Sequence, residues 1–463
     1  MKKNFQIVRK IGSSRLRFFY LIFVLISLFF IYIEFYFHPR TPITDDWLFY
    51  PWQMRLNHPG NWHDFELISG HQQVLMKYTL YFGSFIKIFR APYTGMLNLS
   101  FALMAVFILV RNYLPRVPLR LRNLAALTFL ALSLSMKQCY MLIMATSLGS
   151  MQALLLISFF LLLKNKDVKH KGKYLVIISI FAPFTFSMGL VIPIAQLVEF
   201  LYGLGTKTTP KNRMKQKITQ TLVAQIGIVL ACVLPFMLND VNKEAGLKQP
   251  NLVKTFAQLI HNPINSLQFI FSEIGNIFVP SSRFEPLLPT IAGFLILVTC
   301  FFLIDKTKLK EICDGIFTNR NPMMVGIIFL LLVLVMRFDG TKSGILQASQ
   351  PRYITGSFLF IFGIVMVVIE FPKKKLEDFS LKAFLLILTL CVFVSGIKSG
   401  NEWLQIQPKK TQKLATCLDH ENSHESSVGG KCFYLGREIS NPVTDGSFGK
   451  ELSTFARKRY KFN

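Results

Sequence analysis

Long apolar runs, separated by short basic gaps, dominate the pattern of this chain. The first run, residues 18–37, follows a start that carries several Lys and Arg residues and no acidic residue. A bilayer crossing takes about 20 residues, so this run is long enough to span a membrane. A cleaved signal peptide would have a shorter apolar core and a small-residue cleavage site. The pattern therefore predicts an uncleaved first transmembrane helix.

The gaps between the apolar runs carry basic clusters, which set orientation. They lie at 111–122, 164–173, 207–217, 306–320 and 373–375. Because Lys and Arg concentrate in cytoplasmic loops, we place these clusters in the cytoplasm together with the N-terminus. The predicted helices are 18–37, 96–110, 124–136, 148–163, 174–186, 189–204, 218–238, 287–304, 323–336, 354–371 and 381–397. This gives about eleven crossings, with the C-terminus outside.

One further apolar segment, residues 74–89, interrupts this alternation. A full crossing there would move the basic cluster 111–122 to the outer face, and Lys77 and Lys87 break its apolar surface. We therefore predict a helix lying in the outer interface. A true transmembrane span is the alternative.

The resulting fold class is an all-α integral membrane protein with interfacial helices in the first outer loop. The polytopic membrane domain covers residues 1–397, with a first outer loop at 38–95 and a second large outer loop at 239–286. Residues 398–463 form a small extracytoplasmic C-terminal tail. The composition agrees with a membrane protein, since 52% of the 463 residues are hydrophobic and only 17% are charged. The net charge of +27 lies in the short gaps, so we expect no nucleic-acid partner.

Candidate chemistry begins in the first outer loop with the adjacent carboxylates Asp45 and Asp46. They lie just past the first helix and precede Trp47, Tyr50 and Trp52, an aromatic belt typical of a membrane interface. Two carboxylates at a membrane surface are candidates for a general base or a cation site. The structural alternative is a helix N-cap, in which an Asp accepts from free backbone amides.

Two other polar groups flank the predicted outer face. Glu66, His71 and Gln72 lie just before the interfacial helix and are possible lining residues of a polar site. Arg352 and Tyr353 lie where the chain re-enters the membrane. An Arg there can hold a lipid phosphate with two parallel hydrogen bonds. A snorkelling membrane anchor is the structural alternative.

The order of these features resembles the bacterial membrane glycosyltransferases of the GT-C class. The sequence TDDW at 44–47 carries the Asp pair of that class, PRY at 351–353 matches its late Arg-Tyr motif, and SMG at 187–189 resembles a turn between two short helices. The second motif, SGHQQ at 69–73, keeps the His but lacks the Asn, Glu and Arg of the family pattern. Glu66 is a substitute for that Glu at a different spacing.

The resemblance implies an enzyme of the bacterial inner membrane that uses a sugar donor linked to a polyprenyl phosphate. The acceptor would be a cell-envelope polysaccharide or glycolipid, and the layout is similar to serotype-converting O-antigen glucosyltransferases. A lipid-linked donor also fits the sequence, because no gap predicted to be cytoplasmic is long enough for a nucleotide-binding domain. Asp45 or Asp46 would deprotonate the acceptor, and Arg352 with Tyr353 would bind the donor. The need for a divalent metal stays open.

The tail holds two cysteines, Cys417 and Cys432, separated by a polar stretch with Gly429 and Gly430. Disulfides persist in oxidising compartments, so an outer tail predicts a bridge between them. A loop of about 15 residues closed in this way adds about 3 kcal/mol in the chain-entropy model. Two free thiols are the alternative.

Two rival functions remain at this stage. A polytopic transporter or flippase of lipid-linked saccharides would show ionisable residues within its helices or broken helices in matched halves. Pro183 and Pro193 interrupt helices and Glu34 and Glu199 lie near helix ends, but no repeat of halves is evident. A non-enzymatic assembly protein of the envelope is the third hypothesis.

Overall fold

The fold is a helical bundle. The computed structural model describes residues 17–32, 52, 55, 58–60, 74–89, 95–133, 148–206, 211–238, 252–279, 286–338, 345, 348, 353–373, 379–398, 433–434 and 437–438. The α-helices are α1 Arg17–Tyr32, α2 Val74–Gly83, α3 Gly95–Tyr113, α4 Arg122–Ser133, α5 Leu148–Asn165, α6 Lys171–Phe181, α7 Val191–Gly205, α8 Lys211–Leu238, α9 Leu252–His261, α10 Pro263–Gly275, α11 Leu287–Leu303, α12 Leu309–Phe317, α13 Met323–Arg337, α14 Ile354–Glu370 and α15 Phe379–Lys398.

Within the described residues, four helical segments are long and apolar enough to cross a membrane. They are Gly95–Arg116, Leu148–Asn165, Met188–Gly205 and Phe379–Lys398. Shorter apolar helices accompany them at Arg17–Tyr32, Lys217–Ala231, Leu287–Leu303, Met323–Arg337 and Ile354–Glu370. These segments support a multi-pass membrane protein. The number of about eleven crossings and their sidedness stay predictions.

The basic gaps meet at one end of the bundle, which we call the basic end. Tyr113, at the end of α3, donates from its hydroxyl to the carbonyl oxygen of Arg320 at 3.0 Å. Lys171 Nζ donates to the carbonyl oxygen of Lys164 at 3.2 Å. The backbone amide of Lys373 donates to the carbonyl oxygen of Leu303 at 2.9 Å, which joins the ends of α11 and α14. The opposite end of the bundle is called the far end below.

Over the described residues, the predicted helix positions agree with these elements within a few residues, except that α8 begins at Lys211 rather than at 218 and that the segment 174–186 needs a correction. There the α-helix ends at Phe181, and two 3-10 turns, Ala182–Phe184 and Ser187–Leu190, lead into α7. A proline cannot donate a backbone hydrogen bond, so Pro183 favours the break. Gly189 is required in the turn, because a Cβ atom there would lie 1.7 Å from the carbonyl oxygen of Ala182.

The segment 74–89 forms α2 and then a 3-10 turn at Lys87–Phe89. A helix of ten residues is about 15 Å long, which is too short to cross a bilayer. A small apolar cluster lies beneath it, in which Met76 and Leu80 pack against Leu97 of α3 and Leu148 of α5. The interfacial position of this segment stays a prediction, with a true span as its alternative.

The second large outer loop, 239–286, contains two helices that the sequence analysis did not predict. They are α9 and α10, and α10 packs closely against α11. A Cβ atom on Gly275 would lie 1.8 Å from the carbonyl oxygen of Pro289, and one on Gly293 would lie 2.0 Å from that of Phe271. Small residues at such a crossing let the two backbones touch, as in membrane helix pairs.

Helix α14 lies at the centre of the bundle, since every residue from Ile354 to Ile369 is buried. A helix that is apolar all round must be covered on all sides. It packs against α13 through Gly326, where a Cβ atom would lie 2.4 Å from the backbone nitrogen of Phe360. Elsewhere the described part of the tail holds one antiparallel pair of two-residue strands, Phe433–Tyr434 and Arg437–Glu438.

Candidate functional site

Most of the predicted site residues lie outside the described residues, so their predicted roles stay predictions. These are Asp45, Asp46, Glu66, His71, Gln72, Arg352, Cys417 and Cys432. Tyr353 is described. It is the N-cap residue of α14 at the far end, and it is 8% exposed. The tyrosine of the late motif therefore immediately precedes the central helix.

Lys77 corrects one premise of the sequence analysis. We expected this lysine to break the apolar surface of the interfacial helix, yet it is only 2% exposed and lies on the packed face. Its ammonium group lies 5.7 Å from the centre of the Trp52 ring, a cation–π contact. Lys87, the other lysine of that segment, is exposed as expected.

Hydrogen bonds fasten α2 to the bundle. Gln152, in the first turns of α5, donates from Nε2 to the hydroxyl of Thr79 at 2.5 Å and lies 3.4 Å from the carbonyl oxygen of Leu75. Because Gln152 itself is buried, these bonds satisfy polar atoms that water does not reach. The helix that carries Lys77 is thus held at a defined place at the far end.

Described parts of the first outer loop rest on this same helix. His58 Nδ1 and the Tyr81 hydroxyl are 3.0 Å apart and their rings meet edge to face. The Arg55 guanidinium lies 4.9 Å from the centre of the Phe85 ring. Residues 55 and 58, which follow Asp45 and Asp46 in the chain, therefore contact α2 and the turn just after it.

A second polar group at the far end is Glu273 on α10, which the sequence analysis missed. Its side chain is completely buried, and neither carboxylate oxygen has a hydrogen-bond partner within the described structure. Burial raises the pKa of the Glu273 carboxyl well above its usual value near 4.5. Uncompensated burial of a charged carboxylate is costly, so the buried position favours the protonated form of the group.

The backbone of Glu273 is tied to the central helix. Ser357 Oγ donates to the carbonyl oxygen of Glu273 at 2.6 Å. The last four carbonyls of a helix have no partner within it, so Ser357 caps the end of α10 from α14. Next to this contact, the rings of Phe269 and Phe338 meet edge to face with centroids 5.8 Å apart.

A third polar group lies at the basic end, away from the predicted site. Lys164 of α5 forms a salt bridge with Glu199 of α7. Asn319 donates from Nδ2 to Glu199 Oε2 at 3.1 Å and to the carbonyl oxygen of Ala195 at 2.9 Å. Tyr202 donates to the carboxylate of Asp314 on α12. This network joins α5, α7 and the segment after α12.

No set of three or more His, Cys, Asp or Glu side chains within the described residues is placed to hold a metal ion. The described part of the far end therefore offers an ammonium group, a buried carboxyl group and neutral hydrogen-bonding groups.

One signal in the sequence pointed to Glu273. It is the only acidic residue of the stretch PINSLQFIFSEIG, which is otherwise mostly apolar. An acidic residue on the buried face of such a helix is a functional candidate. The sequence pattern predicts a loop at 239–286, so it does not mark Glu273 as buried.

Comparisons with known proteins gave no relatives. No protein-family model, no curated protein and no solved structure matches this chain.

Proposed function

We propose that this protein is a glycosyltransferase that moves a sugar from a polyprenyl-phosphate-linked donor to a cell-envelope polysaccharide or glycolipid. The reaction takes place on the outer face of the bacterial inner membrane, and O-antigen glucosylation is the narrower form of the proposal. The observation that supports it is the set of buried polar side chains at the far end, opposite the basic clusters. Lys77, Gln152, Glu273 and Tyr353 belong to this set.

The proposed chemistry needs a base and a cation. Asp45 or Asp46 takes the proton from the acceptor hydroxyl as that oxygen attacks the sugar carbon. The bond between that carbon and the lipid phosphate breaks, and the phosphate leaves with the electron pair. The Arg352 guanidinium binds the phosphate with two hydrogen bonds and stabilises its charge, with Tyr353 beside it.

A lipid-linked donor suits the short connections at the basic end. The described connection between α11 and α13 is filled by one 3-10 turn and the nine-residue helix α12. Such short gaps leave little room for a domain that would bind a nucleotide sugar. A polyprenyl donor instead reaches the far end through the membrane.

The test is sugar transfer in proteoliposomes that contain the purified protein, a polyprenyl-phosphate sugar and an acceptor glycan. Asp45→Asn and Asp46→Asn are made separately, with Asp167→Asn, an exposed residue near the basic end, as the control. Loss of a general base typically costs about a hundred- to ten-thousand-fold in rate. We expect this fall in one of the two variants and a normal rate in the control. Normal transfer by both variants would refute the catalytic assignment.

Donor binding is tested with Arg352→Lys, which keeps the charge and loses the planar fork. We expect a higher KM for the donor at unchanged protein level. An unchanged KM would contradict donor binding by Arg352 and favour its alternative role as a membrane anchor.

A transporter or flippase of lipid-linked saccharides is the second candidate. The observation that favours it is the Lys164–Glu199 pair with Asn319, which lies between helices that are long enough to cross the membrane. Ionisable residues in such positions mark transport pathways in many membrane proteins. The same proteoliposomes separate the two functions, because a flippase moves the labelled lipid between leaflets without transferring its sugar.

A further inference from the structure

Glu273 is a buried acid that takes no part in the steps of the proposed reaction, and the packing of the helix bundle does not explain it. A buried polar group without a partner costs free energy, so its presence requires a reason. The side chain is 0% exposed and both carboxylate oxygens lack a partner among the described residues. Glu273 belongs to α10, which is not among the candidate membrane crossings.

The elements packed against α10 offer no charge that could compensate an ionised Glu273. Helix α13 carries only Arg337, at its far end, and α14 carries only Glu370, at its basic end. The titratable residues of α11 and of the start of α14 are Cys300 and Tyr353. Helix α9 has Lys254 and His261 in its sequence, and His261 is exposed. Within the described residues, none of these side chains forms a hydrogen bond with either carboxylate oxygen of Glu273.

The position of Glu273 links it to the motif at the start of α14. Ser357, which donates to the carbonyl oxygen of Glu273, stands four residues after Tyr353. Residues four apart lie on one face of a helix, so α10 covers the face of α14 that begins with Tyr353. A movement of α10 away from α14 would uncover that face and remove the bond from Ser357.

We propose that Glu273 is a positioning residue that holds α10 against the start of α14 only while its carboxyl carries a proton, and thereby sets the place of Tyr353. This inference rests on the proposed function for its effect on donor binding. Its structural part, the proton-dependent docking of α10, stands without it.

The sign of the pH dependence follows from the burial. The acid is protonated when α10 is docked and has an ordinary carboxyl pKa when α10 is released into water. Docking is therefore strongest below the ordinary pKa and weakens as the pH rises towards the raised pKa of the docked state. Each pH unit within that window changes the docking equilibrium by up to about tenfold.

The experiment compares wild type, Glu273→Gln and Ser272→Ala in lipid nanodiscs between pH 5 and pH 8. The Gln side chain has the same shape and no ionisable proton, and Ser272 is an equally buried neighbour that does not titrate. Hydrogen–deuterium exchange of the α10 amides is measured, corrected for intrinsic exchange with the amides of α13. The KM and kcat for the polyprenyl-phosphate donor are measured on the same samples.

We expect the α10 amides of wild type and Ser272→Ala to lose protection by up to about tenfold per pH unit, and those of Glu273→Gln to stay protected. The donor KM should follow the same pattern, with kcat unchanged. A Glu273→Gln variant with the pH response of wild type, or a wild type without any pH response of α10, would overturn the inference. If no variant transfers sugar while α10 protection depends on Glu273, the proposed function fails and the docking part is supported.

Discussion

The contact between α10 and α11 makes the effect of Gly275→Ala predictable from the structure. A Cβ atom at position 275 would lie 1.8 Å from the carbonyl oxygen of Pro289 and 2.6 Å from the backbone nitrogen of Gly293. Both obstacles are backbone atoms, so no side chain can rotate away. The two helices must move apart.

The size of this movement follows from the distances. Real Cβ atoms essentially never approach another heavy atom closer than 3.0 Å, so the backbones must separate by at least about 1 Å at this point. Overpacking of a filled interior typically costs about 1 to 3 kcal/mol, and contacts between rigid backbones lie at the upper end of that range. Gly293→Ala should act in the same way, since its Cβ atom would lie 2.0 Å from the carbonyl oxygen of Phe271.

The assay is thermal unfolding of the purified protein in one detergent, followed by tryptophan fluorescence. The matched control is Gly315→Ala in α12, where a Cβ atom would meet nothing within 4 Å. Alanine favours a helix over glycine by up to about 1 kcal/mol, so the control should unfold at the wild-type temperature or slightly above it. We expect Gly275→Ala to lower the Tm by several degrees. A Gly275→Ala variant that is as stable as the control would refute the close contact and, with it, the placement of α10.

Three further predictions concern other parts of the molecule. Glu199→Gln should destabilise the protein by about 1 kcal/mol because it removes the ion pair of the half-buried Lys164 ammonium, and adding Lys164→Met should recover part of the loss in the same thermal assay. Lys77→Ala should lower the Tm while Lys87→Ala leaves it unchanged, because only the first side chain is buried; equal effects would contradict that difference. Alkaline phosphatase fused after Asn463 should be active, and an inactive fusion to a functional protein would exclude an outer C-terminus.

The positions of most helices could be predicted from the sequence for a simple physical reason. Backbone N–H and C=O groups in a lipid bilayer have no water to hydrogen-bond with. A long apolar run in the bilayer satisfies these groups internally by forming a helix. The run predicted as a helix at 148–163 forms the helix Leu148–Asn165, and the run predicted at 354–371 forms the helix Ile354–Glu370. The same reasoning predicted that the basic gaps share one side, and the bond between Tyr113 and Arg320 joins two of them.

Segments of mixed polarity were predicted less well. In 239–286 polar residues interrupt the apolar ones, so the segment holds no apolar run long enough to predict a crossing before residue 287. The pattern therefore predicts a loop there. The amphipathic helix α9 and the helix α10 form there because one face of each can be buried by the bundle. That burial depends on neighbours which are distant in the chain, so a local pattern does not contain it.

The sequence by itself determined the helical class, the positions of most described apolar helices and the position of Tyr353 just before a helix. Only the tertiary structure decided which polar side chains are buried. Lys77 meets Trp52 across the first outer loop, and Ser357 reaches the backbone of Glu273 from a helix 84 residues further along the chain. A side chain's burial is the sum of contacts from all surrounding elements, so the depth of a charged residue is known only when those elements are packed together.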